Sequence, residues 1–82
     1  MKYIFIHIEV QDGERRLHDH KVLHTTNCNN VGFAVEWYVA HYWGYGERIY
    51  KDEWWWWGDF CGRVKSWSEI TKEEFNILNK YL

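Results

Sequence analysis

From Tyr3 to Val10 the chain alternates, with Ile4, Ile6, Ile8 and Val10 on one side and Tyr3, Phe5, His7 and Glu9 on the other. A period of two marks a strand with one face turned toward a core. Asp12-Gly13 follows at once, and glycine's tolerance of positive φ suits a two-residue type I′ turn there. The stretch "ERRLHDHKVLH" can then run back as the partner strand, making the first unit a hairpin.

Asn27, Asn29 and Asn30 next offer N-cap side chains ahead of "VGFAVEWYVAHYWG", which has good helix formers, no proline and a closing Gly44. The pattern predicts a helix over 30–43, with "GYG" at Gly44 to Gly46 as its cap and turn. A second β-rich stretch runs from Ile49 to Trp57, Gly58-Asp59 breaks it, and "CGRVKSWSEI" can return as a fourth strand. Thr71 and Glu74 have the spacing of a capping box, and Phe75, Leu78 and Leu82 form one stripe of a closing helix. The order ββαββα predicts a two-layer α+β domain: a four-stranded, mainly antiparallel sheet with both helices on one face. Loops are short and nothing resembles a linker, so residues 1–82 read as a single domain, without a residue-by-residue repeat.

A two-layer fold leaves one sheet face open, and hairpin geometry predicts which side chains stand on it. With Asp12-Gly13 as the loop, Val10 faces Arg15, Ile8 faces Leu17, His7 faces His18 and Phe5 faces His20. Leu17 and Leu23 then join the isoleucines in the core. Tyr3, Phe5, His7, His18, His20, Val22 and His24 fall on the other face. In the second hairpin Trp57 faces Phe60, Trp55 faces Gly62 and Trp54 faces Arg63. Ile49, Trp55, Trp57, Phe60 and Val64 read as core, and Tyr50, Asp52, Trp54, Trp56, Arg63, Lys65 and Trp67 as the open face. The run Trp54 to Trp57 is thereby split, two rings inward and two outward.

Composition gives that split a reason. Seven Trp, six Tyr and four Phe stand among 82 residues, each removing ~150–250 Å² from water when buried, which is more ring than so small a core can enclose. The surplus should surface, and apolar area exposed on that scale marks an interaction site. The first helix adds a second hint, since only Glu36 and His41 are clearly polar in "VGFAVEWYVAHYW". A helix apolar nearly all round needs a cover beyond its sheet side, either the terminal helix or another chain.

Charge narrows the partner. Ten Lys and Arg against twelve Asp and Glu leave a net charge of −2, with no basic field for general DNA binding. Protonating all five His would take it to +3, so attraction for anions depends on pH below about 6.5. A protein partner or a second copy of the chain, docking on Tyr3, Phe5, Tyr50, Trp54, Trp56, Arg63, Lys65 and Trp67, therefore ranks first. Single-stranded nucleic acid or a nucleotide stacked on the same rings ranks second.

Metal and catalysis rank lower. His7, His18 and His20 would gather on one face and could reach a Zn²⁺ or Ni²⁺, yet their spacing fits no specific zinc signature, and surface histidines are the commoner outcome. Cys28 lies near His24, but a helix-entry cysteine is more often a small buried hydrophobe than a nucleophile. No Gly-x-Ser-x-Gly, HExxH or phosphate loop is present, so the expectation is a non-enzymatic protein without cofactor. Two cysteines far apart, no run of ~20 apolar residues and no signal pattern at the start lead to an expected reduced, cytoplasmic setting, with no membrane contact.

Overall fold

A computed structural model describes residues 1–25, 30–42, 44, 46 and 54–82. Within them the chain forms β1 (Lys2–Asp12), β2 (Arg15–Thr25), α1 (Val31–Ala40), β3 (Trp55–Trp57), β4 (Phe60–Ile70) and α2 (Lys72–Tyr81). The four strands make one antiparallel sheet in the order β2-β1-β4-β3, and the fold is α+β with the order ββαββα. The features expected of Asn27, Cys28, Asn29, Ile49, Tyr50 and Asp52 lie outside the described residues.

The first hairpin folds as the alternation predicts but with a different loop. Gly13 and Glu14 are its two turn residues, and Gly13 takes φ +62, the left-handed region where a Cβ is costly. Val10 consequently faces Leu17, Ile8 faces Asp19, His7 faces His20 and Glu9 faces His18. The register is two residues away from the Asp12-Gly13 expectation. Because strand side chains alternate with period two, a shift of two leaves every residue on its expected face.

Ile4, Ile6 and Ile8 are fully buried, and Val31, Val35 and Val39 of α1 close over them. The valines recur every four residues, so one helical stripe reaches the sheet. Asn30 caps this helix, its Oδ1 accepting from Phe33 N at 3.0 Å. At the other end the Ala40 carbonyl, one of the acceptors a helix terminus leaves unused, takes Gly46 N–H at 2.8 Å and the Trp57 indole at 3.1 Å. That bond lets Trp57 enter the core, 7% exposed, without stranding its N–H. Gly62 makes room for the ring: a Cβ there would stand 2.8 Å from Trp57 Cζ3.

The second hairpin has the register expected of Gly58-Asp59, with Trp57 opposite Phe60 and Trp55 opposite Gly62. Further along β4 an irregularity intervenes. His7 faces Ser66 while Ile8 faces Val64, so Lys65 is an extra residue in β4 and the alternation inverts beyond it. Trp67 therefore stands opposite Ile6, on the side of the aliphatic residues, and is 41% exposed. Its expected place beside Arg63 and Lys65 is corrected by this bulge.

The second correction concerns α2. Its N-terminus carries the predicted capping box, Glu74 N donating to Thr71 Oγ1 at 3.1 Å and Thr71 N to Glu74 Oε1 at 3.0 Å. Its Phe75 ring meets Tyr3 at 5.0 Å and His24 at 5.5 Å, two residues that face one another away from the isoleucine side. The helices thus take opposite faces of the sheet, rather than the same one. Phe75 finds there a ready aromatic surface, whereas α1 already fills the aliphatic side.

Candidate functional site

On the face opposite α1, the rings that were expected to be offered outward are largely occupied with one another. Phe5 stacks on His20 with centroids 5.4 Å apart, His20 on His7 at 4.6 Å, and His7 Nε2 lies 2.8 Å from His18 Nδ1, a hydrogen bond between the two imidazoles. Cross-strand and diagonal neighbours of this size are within reach of one another, which is why the row survives the register change. Partial burial lowers the His7 pKa, His20, His18 and Lys65 lower it further by charge, and Glu9 opposes them. His20 is stacked on His7 instead of converging with it and His18. Among the described residues no group of three or more His, Cys, Asp or Glu side chains is placed to hold a metal ion.

Next to this row Glu9 is only 3% exposed and is paired with Arg63, whose Nε and Nη2 both approach Glu9 Oε1 at 3.2 Å. The guanidinium in turn lies 4.9 Å from the centre of the Trp54 ring. Trp56 stands opposite the buried Cys61, and with Trp54, Gln11 and Asp59 it lines a shallow cleft of about 280 Å³. Of the residues predicted for docking, Trp54, Trp56 and Arg63 come together here and Lys65 lies near His7. Tyr3 sits under Phe75, and Phe5 under His20. Trp67 is on the other side, and Tyr50 lies outside the described residues.

On the aliphatic side a separate polar tie anchors the end of α1. Tyr42 Oη donates to Asp19 Oδ2, His20 N donates to Asp19 Oδ1 at 2.8 Å, and Lys21 Nζ is 3.7 Å from Asp19. Burial alone would raise the Asp19 pKa, but the hydrogen bonds from Tyr42 and His20 and the neighbouring charges outweigh it and hold the carboxyl below its ordinary value. Burial first, and Asp19 second, push the Tyr42 and Tyr38 phenols up. Both phenols stay neutral at physiological pH, so this is a structural tie with no proton to exchange there.

Among the described residues, two strongly exposed aromatic side chains stand together elsewhere, on the outer side of α1. Phe33 is 68% exposed and Trp37 57%, four residues apart and so one turn along the same face. His41 extends the line, stacked on Trp37 with centroids 4.2 Å apart while its Nδ1 donates to Trp37 O at 2.8 Å. A groove of about 480 Å³ runs along one flank between Phe33, Trp37, Ala40 and Trp55. Glu36 stands in its wall, its carboxylate accepting from Trp55 Nε1 at 2.9 Å. A second groove of about 350 Å³ follows the other flank between Phe33, Trp37, Tyr38 and Leu23.

α2 packs against the other face, so it does not supply the cover that the composition of α1 called for. The sequence signalled this surface through a helix apolar nearly all round. It did not single out Phe33 and Trp37, because four-residue spacing marks an outer stripe and a core stripe alike. No protein-family model, no curated protein and no solved structure matches the chain.

Proposed function

We propose that the chain is a non-enzymatic binding domain that docks a protein surface through the outer side of α1. One observation carries this: Phe33 and Trp37 hold their rings in solvent one turn apart, on a helix whose opposite stripe is fully engaged in the core. Aromatic side chains presented on a rigid element lose little freedom on contact and are enriched at the energetic centres of interfaces. The rigidity comes from Val31, Val35 and Val39 beneath, and from the Asn30 cap and the Tyr42 tie at the two ends.

Base stacking on Trp54 and Trp56 ranks below this. Arg63 lies on Trp54 and pairs with the buried Glu9, so a phosphate backbone arriving there meets little uncompensated positive charge. We also propose the reducing cytoplasm as the compartment, in keeping with a chain of 82 residues that carries only two cysteines, far apart in sequence, where small secreted domains are dense in them. Among the described residues no helix is long and apolar enough to cross a membrane.

Affinity capture with the wild-type chain, a Phe33→Asp/Trp37→Asp variant and a Trp54→Ala/Trp56→Ala variant tests the reading. The expected result is a defined protein retained by the wild type and the second variant and lost from the first. Retention by the α1 variant with loss from the other would transfer the site to the sheet face. A fluorescence titration with oligo-dT, quenched in the wild type and unquenched in Trp54→Ala/Trp56→Ala, would favour nucleic acid instead.

A further inference from the structure

We infer that the surface which covers Phe33 and Trp37 is the same surface of a second copy, the two α1 helices packing across a two-fold axis. This inference rests on the reading of α1 as a docking face and names its partner. The shape is the first ground. A two-fold contact sets one patch against itself, so the patch must carry both projections and the recesses that receive them. The outer side of α1 does so: the Phe33–Trp37 ridge is flanked on both sides by apolar grooves, of about 480 and 350 Å³. Rotated onto itself, the ridge of one copy lies in a groove of the other, the arrangement by which helix ridges pack into helix grooves.

Area is the second ground. At 68% and 57% exposure, the two rings leave roughly 250 Å² per copy available for burial, given the ~150–250 Å² that a buried aromatic removes from water. Two copies would then bury roughly 500 Å² through four rings alone, about half of the ~1,000 Å² that a specific interface needs. The half-buried Trp55 and His41 in one groove and Leu23 and Tyr38 in the other are placed to supply the remainder.

Charge is the third. A two-fold axis sets like charge against like, which is costly for a charged patch and harmless for a neutral one. Val31–Ala40 contains one charged residue, Glu36, and its carboxylate is already hydrogen-bonded to Trp55 Nε1. A partner recognised through charge would find little to read on this helix, whereas a second copy requires none.

Sedimentation velocity from about 5 to about 500 µM at neutral pH covers the affinities of modest interfaces. A monomer–dimer equilibrium is expected for the wild type, with association weakened at least ten-fold in Trp37→Asp and in Phe33→Asp. Unchanged far-ultraviolet circular dichroism in both variants would exclude unfolding as the cause. In a mixture of isotope-labelled and unlabelled wild-type chains, nuclear Overhauser contacts between the Trp37 indole of one copy and α1 protons of the other are expected, and this arm needs no variant. A wild type monomeric throughout overturns the inference, while the capture experiment still decides whether α1 docks another protein. A dimer that persists unchanged in both variants overturns it equally, by placing self-association on another surface.

Discussion

On one side of the sheet Ile4, Ile6 and Ile8 are sealed by Val31, Val35 and Val39, aliphatic against aliphatic, with the Trp57 indole bonded to the end of the helix that covers it. On the other, Phe5, His20, His7 and His18 lie ring to ring, and Glu9, Arg63 and Trp54 form a second chain of contacts beside them. The first side excludes water through shape. The second satisfies polar groups pairwise and keeps their outer edges wet, so its stability is electrostatic and depends on conditions. The surplus of aromatic residues is absorbed differently again, by mutual stacking on the polar face and by plain exposure on the outer side of α1.

If that contrast is right, the sealed side should be the costlier to disturb. Ile6→Ala removes a side chain with no solvent exposure from beneath α1, and is expected to cost about 4 kcal/mol through lost burial and the cavity left behind. Urea denaturation of the variant checks the figure. A loss below about 1.5 kcal/mol would mean that the helix can settle into the gap, and that the packing is looser than the enclosed isoleucines imply.

The polar face has one place where the loss should come close to that. Arg63→Ala strips the partner from Glu9, leaving a nearly buried carboxylate with no cation, and an expected cost of about 3 kcal/mol. The double variant Arg63→Ala/Glu9→Gln should recover much of this, because the stranded charge, and not the missing bridge, is the main expense. Recovery would separate this side from the sealed one, where no second substitution of this kind restores a deleted isoleucine.

A smaller effect follows from the histidine row. The folded-state His7 pKa lies below its ordinary 6.5, so between those two values the unfolded chain binds more protons than the folded one. Stability on this account is intact above about pH 6.5 and falls as the pH drops through the interval. The groups around the imidazole are His18 and His20 from β2, Lys65 from β4 and Glu9 from its own strand, and only Glu9 favours the proton. Thermal melts between pH 8 and pH 5 should show a decline that is shallower in His7→Gln. Equal slopes in the two proteins would mean that the crowding of His7 by burial and by its charged neighbours is not what makes this face sensitive to pH.

How far each region could be read from the sequence follows from what fixes it. Alternation at Ile4, Ile6 and Ile8 and the Thr71–Glu74 box are local patterns, and each is where the chain alone places it, while the cap of α1 falls on Asn30, one of the three asparagines the sequence offered for it. The splitting of Trp54 to Trp57 also held, because Gly58-Asp59 sets that register locally. Three features depend on contacts distant in sequence. The first hairpin's loop could move by one residue at no cost in alternation. The extra residue Lys65 carries neither glycine nor proline to announce a bulge, and it carries Trp67 to the other side. For α2, a stripe containing Phe75 suits either face of the sheet, and the aromatic pair Tyr3 and His24 decides the matter.

The smallest expected effect is the sharpest test of the contrast between enclosed and exposed rings. Trp37→Ser deletes the largest side-chain type, which in most small domains would be ruinous, yet here more than half of the residue already stands in water. Folding of the isolated chain gains little from a ring that remains hydrated, so the expected change is within about 0.5 kcal/mol at concentrations low enough to keep the chain monomeric. At high concentration the same substitution should lower the melting temperature relative to wild type, because any complex that uses Trp37 stabilises the fold by mass action. A stability difference that grows with protein concentration places the value of Trp37 between molecules. A large difference independent of concentration would mean that the indole is packed within one chain, and that α1 has no uncovered side to offer.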